Sequence, residues 1–231
     1  MAVIQTGSAV HLESTDNSNS QMVTVPSDAE IAVLLCTGYS GGAYFYGGTV
    51  TLGGSSMIQQ VSTDVNDPAV PSHGEGFTAI YTITNPATGS QSLAWDWYGS
   101  SAAGEGINSY LVFYKNVDTS DAIRDSGLSV VSDTDITGLD AESGDMMVGV
   151  IYCYVNLPVV TDNGQTQIAA SEYHGAANSC AHKDGGTGFY YHDGTYLTCS
   201  AIIIRAAAAG TTLPTHSFPL GINHGMAIRM P

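Results

Sequence analysis

The chain has 231 residues, with 5 Lys and Arg against 21 Asp and Glu for a formal charge of −16, and a sequence pI near 4.3. Only 11% of its residues are charged, against roughly 25% in ordinary globular proteins, so the acidity comes from missing cations rather than from abundant carboxylates. Lys115, Arg124, Lys183, Arg205 and Arg229 stand singly along the chain, which excludes the basic stripe that binding to nucleic acid or an anionic membrane requires.

Residues 1–7 have neither the basic region nor the apolar core of a secretory leader, and no run reaches the roughly 18–20 apolar residues that span a bilayer, so a soluble, unprocessed protein is expected. Helical periodicity is almost absent. Short β-branched and aromatic runs bounded by Gly, Asn, Asp, Ser and Pro recur instead. They predict strands over 9–13, 21–25, 30–39, 49–53, 77–84, 90–98, 109–117, 128–133, 145–155, 165–172, 188–192 and 196–206. Strands this short and this closely punctuated predict an all-β fold, an antiparallel two-sheet sandwich or jelly roll with extended terminal arms. Residues 1–22 read as an N-terminal arm or edge strand, 23–209 as the β-sandwich domain and 210–231 as an apolar C-terminal arm. No linker divides the middle, and a chain of this size buries about 70% of its unfolded surface in one core.

Three segments carry further structural content. Asn85-Pro86-Ala87-Thr88-Gly89 is turn chemistry, with Pro fixing φ and Gly free to adopt positive φ. The run MMVGVIYCYV from Met146 is apolar on both alternating faces, which predicts a central strand covered on its outer side by a loop, an arm or another subunit. The segment from Gly210 holds Pro214, Pro219 and Pro231 among Leu213, Phe218, Leu220, Ile222, Met226, Ile228 and Met230. It is too apolar for a solvated tail and is expected to lie on the body or on a neighbour. In a chain so short of cations, Arg229 in this arm and Arg205 just before it are the candidate ionic contacts to a neighbouring acidic subunit.

Candidate chemistry is sparse. Glu172, His174, Cys180, His182, Lys183, Asp184, His192 and Asp193 cluster in a Gly-rich stretch read as loops and a hairpin, but their spacing matches no zinc signature. The acidic turns 64–67, 133–135 and 140–145 lack the full calcium-loop pattern. Glu75, Asp96, Glu172 and Asp193 offer carboxylates for glycoside hydrolysis with nothing to pair any two of them, and no His has an identifiable Ser or Cys partner in the sequence. Cys36 and Cys153 lie in apolar runs, as buried thiols do, whereas Cys180 and Cys199 are close enough in sequence to pair. Leu93, Trp95 and Trp97 share one strand face, a core or else a stacking platform. Tyr39, Tyr44, Phe45 and Tyr46 in a Gly-rich loop are candidate glycan contacts.

The segments AEIAVLLCTGYSG, TVTLGG, AIYTITNPATGSQSLAW, INSYLVFYKNVDTSDAIRD, SGDMMVGVIYCYV and CSAIIIRAA follow one another over residues 23–207. This order resembles a β-sandwich family of tailed-phage virion proteins, found also in bacterial surface proteins, whose strands meet at an NPxTG turn. The resemblance implies a structural or attachment role and supplies no catalytic residues. The His-rich insertion between Tyr173 and His192 and the C-terminal arm depart from it. The expected function is therefore that of a non-enzymatic virion structural protein of a tailed bacteriophage, foremost a capsid-surface decoration or cement protein. The alternatives are a tail or fibre-tip module that binds host glycans and a secreted acidic glycan hydrolase. The expected partners are further copies of the chain and other virion proteins such as the major capsid protein, with no nucleic acid, membrane, metal or cofactor. Assembly in the host cytoplasm and residence on the virion surface follow from the same reading. The arm residues Leu213, Phe218, Leu220, Ile222, Met226, Ile228 and Arg229 are the expected interface.

Overall fold

The computed structural model describes residues 1–16, 18–39, 45–63, 76–99, 106–129, 135–153, 164–173, 176–189 and 198–208. Fourteen strands follow in order: β1 (Ile4–Ser14), β2 (Ser18–Val25), β3 (Ile31–Tyr39), β4 (Phe45–Leu52), β5 (Ser55–Ser56), β6 (Ile58–Ser62), β7 (Gly76–Thr84), β8 (Gly89–Gly99), β9 (Gly106–Lys115), β10 (Ile123–Ser129), β11 (Ile136–Cys153), β12 (Thr166–Tyr173), β13 (Ala176–Phe189) and β14 (Thr198–Ile204). There is no helix among the described residues, hence none long and apolar enough to cross a membrane.

The fold is all-β and antiparallel with sheets packed face to face, and the stack has three layers where a pair was expected. The middle sheet has the order β1-β9-β3-β7-β6. On one side lies a four-stranded sheet, β2-β8-β4-β5, and on the other a five-stranded sheet, β10-β14-β11-β13-β12. Strand alternation makes this sharing possible, because successive side chains leave opposite faces of the pleat. Ala32, Leu34 and Cys36 of β3 join Leu111 and Phe113 of β9 in a core with Val23, Val50, Leu93 and Trp95 of the four-stranded sheet. The intervening Ile31, Val33 and Leu35 join Val112 and Tyr114 in a second core with Val148, Val150, Ile202 and Ile204. A strand covered on both faces has no wet side, which is why IAVLLC shows no polar alternation. Within the middle sheet the Phe77 ring lies over Gly38, its partner on the neighbouring strand, so closely that a Cβ there would stand 2.1 Å from it.

The doubly apolar run in β11 is explained within the chain. Met146, Val148 and Val150 face the middle sheet, while Met147, Ile151 and Cys153 face outward into a third core with Ile136, Leu139 and Phe189. Those covering residues belong to the far ends of β11 and β13. The two strands pair from Cys153↔Ala177 to Ile136↔Phe189, with register shifts on either side of Ala141. Gly144, Gly185 and Gly186 hold φ of 95°, 59° and 102° there, values that favour residues without a Cβ. The ribbon bends at this point and crosses the outer face, so closely that a Cβ on Gly127 of β10 would stand 2.7 Å from Ile136 Cγ2. This corrects two expectations: 140–144, read as part of an acidic turn, and 176–187, read within a stretch of loops and a hairpin, are continuous strand. The NPATG turn joins β7 to β8, with Asn85 at φ 50° and Gly89 at φ 83°.

Residues 4–14 form an edge strand paired with β9. The N-terminal amine donates to Ala207 O at 3.1 Å, and Asn116 Nδ2 donates to Ala2 O at 2.9 Å. The arm over 210–231 lies outside the described residues.

Candidate functional site

The densest convergence of polar side chains lies where the ends of β1, β9, β12 and β13 meet between the middle and five-stranded sheets. Asn108 opens the β9 run INSYLVFYK and, like Tyr110 and Tyr114, points toward the five-stranded sheet; it is fully buried. His11 lies opposite Tyr110 in the β1–β9 ladder and stacks on its ring, with centroids 4.6 Å apart and planes 14° from parallel. Ser171 of β12, 160 residues from His11, places its Oγ 3.0 Å from His11 Nε2.

The amide orientation of Asn108 decides what this trio can do. Asn108 Nδ2 donates to Ser171 O at 3.1 Å, so Oδ1 is the atom 2.8 Å from His11 Nε2 and 2.9 Å from Ser171 Oγ. An amide oxygen only accepts, so Nε2 and Oγ must both donate to it. Nε2 thus carries a proton and cannot remove the one on Ser171, whereas a nucleophile's base must accept through the nitrogen that faces it. Glu13 Oε1, 3.4 Å from the same Nε2, reinforces the protonated nitrogen. The Asn108 carbonyl meanwhile accepts from Thr37 Oγ1 at 3.0 Å and from Asn178 Nδ2 at 2.8 Å. One residue thereby ties β1, β3, β12 and β13 to β9, and the trio works as a clasp between layers.

Two other polar groups lie along the same interface. Tyr114 OH stands 3.4 Å from His182 Nδ1, and burial pulls the His182 pKa below its usual value despite Asp184 nearby. On the opposite face of β13, where Lys183 pairs with the outward-facing Met147, burial also lowers the Lys183 pKa. Beside the N-terminus, Asp145, only 2% exposed, accepts from Arg124 Nε at 2.6 Å, Ala206 N at 2.8 Å and Glu142 N at 3.0 Å. The Asp145 carboxylate in turn raises the Arg124 pKa. A buried carboxylate with three donors has its charge met by structure.

Those of the metal and hydrolase candidates that are described are not brought together. Among the described residues no three His, Cys, Asp or Glu side chains converge on a metal-sized space. His174, His192, Asp193 and Glu75 lie outside the described residues, as do the acidic positions 64–67, 133 and 134, while Cys180, His182, Lys183 and Asp184 follow one another along β13. Cys180 and Cys199 cannot pair. They sit on β13 and β14, on either side of β11, opposite Val150 and Ile151, and two strand spacings of about 4.8 Å exceed the roughly 7 Å limit between bridged Cα atoms. All four cysteines are buried and none is in a disulfide. Burial pushes the Cys36 and Cys199 thiols up to about 12.

Trp95 is a core residue, 6% exposed. The side chain of Trp97 lies outside the described residues, as do those of Tyr39, Phe45 and Tyr46, although their backbones lie in β8, β3 and β4. Tyr44 is wholly outside them, and so are Leu213, Phe218, Leu220, Ile222, Met226, Ile228 and Arg229. Arg205, the described one of the two candidate ionic contacts, forms an ion pair with Asp121 of its own chain. The outer face of the four-stranded sheet carries a groove of about 420 Å³ lined by Ser18, Asn19, Ser20, Thr49, Thr51 and Asp96. No single stretch announced it, because Ser18, Asp96 and Thr49 come into line only through strand register.

Compared with family models, with curated proteins and with solved structures, the chain matches none of them.

Proposed function

We propose that the chain is a non-enzymatic structural protein of a tailed-phage particle, acting on the capsid surface as a decoration or cement protein. The observation that carries this reading is the wiring of the His11–Ser171–Asn108 trio. The one histidine–serine contact among the described side-chain hydrogen bonds has its facing nitrogen committed as a donor, so it holds layers together and leaves no base for a nucleophile. The order of sequence segments resembling virion β-sandwich proteins supplies the setting. The near absence of cations keeps such a surface from adhering to packaged or free DNA. In this reading the arm over 210–231 clamps a neighbouring copy or the major capsid protein. Cryo-EM or immunogold labelling of intact particles should find the protein on the head. Deleting 210–231 should release it, and a truncated protein that still decorates particles normally would sink the proposal.

A second reading, a tail-tip module for host glycans, is favoured by the groove on the four-stranded sheet. Hydroxyls of Ser18, Ser20, Thr49 and Thr51 around the Asp96 carboxylate offer the donors and acceptors that sugar hydroxyls need. In the backbone ladder Tyr46 is the partner of Tyr98, next to this row. Under this reading Asp96→Ala, or Tyr44→Ala with Tyr46→Ala, abolishes adsorption to host cells and leaves particle stability unchanged.

A further inference from the structure

The outer edge of the four-stranded sheet has an unusual combination of properties. β2 pairs with β8 over all eight of its residues without a register shift, and among the described residues no strand pairs on its other side. Natural edge strands are normally blunted by charge, proline or a bulge. The β2 sequence SNSQMVTV has none of these, although the chain carries 21 acidic residues. At its middle Met22 is 62% exposed.

Hydrogen-bond parity identifies which backbone groups face outward. Ser92 O accepts from Gly53 N at 2.8 Å, so Ser92 directs its backbone groups toward β4. Met22, the partner of Ser92, is therefore at a position not bonded to β8, and its N–H and C=O point away from the sheet. Ser20 confirms the parity, since its N–H is donated to the side chain of Asn19 at 2.7 Å. The outward set is thus Ser18, Ser20, Met22 and Thr24, whose side chains share the solvent face.

We propose that β2 is a homodimerisation edge: two copies pair their β2 strands antiparallel about a two-fold axis at Met22, joining two four-stranded sheets into one of eight strands. A two-fold that sets Met22 opposite Met22 also sets Ser20 opposite Thr24, so outward-facing groups meet only outward-facing groups. About four backbone hydrogen bonds can form between the two strands with the Ser20 N–H left on Asn19, and about six once each Asn19 side chain gives it up. Pro26, which has no N–H, ends the ladder. The axis brings the two exposed Met22 side chains together on one face, where each covers the other. A second copy can use this edge because β2 carries no charged side chain, so two molecules of charge −16 that meet along it set no like charges directly opposite one another. A single strand pair buries less than the roughly 1,200 Å² usual for stable complexes, so dissociation in the micromolar range is expected. The assignment does not depend on the virion reading, since a glycan-binding module would use the same edge.

Sedimentation and light scattering on the full chain, from about 1 to 500 μM, should show a monomer–dimer equilibrium. Met22→Lys should weaken it at least about tenfold by opposing two ammonium groups across the axis, with the melting temperature of the dilute, monomeric chain unchanged. Leu128→Lys, on the exposed edge strand β10, should leave it intact. Met22→Cys should crosslink under mild oxidation with copper–phenanthroline, because directly paired Cα atoms about 5.5 Å apart fall within disulfide range; Leu128→Cys should not. A chain that stays monomeric throughout overturns the proposal, as does a dimer indifferent to Met22→Lys. A dimer lost only on deleting 210–231 also overturns it and assigns self-association to the C-terminal arm, whereas failure of particle labelling leaves it untouched.

Discussion

Replacing Asn108 by Ala removes three side-chain hydrogen bonds: those accepted from His11 Nε2 at 2.8 Å and Ser171 Oγ at 2.9 Å, and that given to Ser171 O at 3.1 Å. At about 1 kcal/mol net apiece the sum is about 3 kcal/mol. Two corrections pull it down. His11 and Ser171 are only part-buried, so water can replace some of what they lose, and their mutual 3.0 Å contact survives. The Asn108 carbonyl keeps its bonds from Thr37 and Asn178, since these belong to the backbone. The expected cost is about 2–3 kcal/mol, which for a chain of this length lowers the melting temperature by about 4–12 °C. Urea titration with the slope monitored gives the value directly. Ser171→Ala should cost about 1 kcal/mol, because Asn108 retains His11. A loss below about 0.5 kcal/mol for Asn108→Ala, or a larger loss for Ser171→Ala, would refute the assignment of Asn108 as the hub of the clasp.

Phe189 anchors the bent ribbon over the outer face, so Phe189→Ala should cost about 3–5 kcal/mol and expose apolar surface that binds a hydrophobic dye. His182 is held neutral by burial, so its contribution to stability is fully present above the unfolded value near 6.5 and is lost as pH falls through that value toward the lower native one. His182→Gln should therefore flatten the fall in melting temperature from about pH 7 to about pH 5, and an unchanged slope would show that other groups carry the acid response. A thiol reagent at pH 8 should find none of the four buried cysteines promptly and all four after denaturation. Fast labelling of one thiol would mean that its layer opens readily.

Much of the architecture was legible in the sequence, for reasons that also explain what was not. Punctuated β-branched runs located most strands, and the doubly apolar MMVGVIYC foretold a strand covered on both faces. What covers it was hidden. Ile136 and Leu139 sit among Asp140, Glu142 and Asp145, while β13 reads CAHKDGGTGF, and glycines with charges imitate a loop. Long-range pairing with β11 overrode that local signal. The short β5 and β6, in SSMIQQVS, have too few β-branched residues to stand out. The clasp shows the same limit: no spacing rule links His11 to Ser171, which meet only when the layers stack. One trace was available, because Asn108 is a lone amide at the head of the otherwise apolar β9, and a buried amide needs partners.

The pairing of β1 with β9 sets a schedule for synthesis. Ile4 lies opposite Lys115, so the first strand leaves the ribosome 111 residues before its partner is complete. At roughly 5–20 residues per second it waits on the order of 5–20 s. During that time the apolar β3, whose other face awaits β11 and β14, is also uncovered. Slower translation or warmer growth lengthens or worsens that exposure, so the yield of folded protein should depend on chaperones that shield nascent strands.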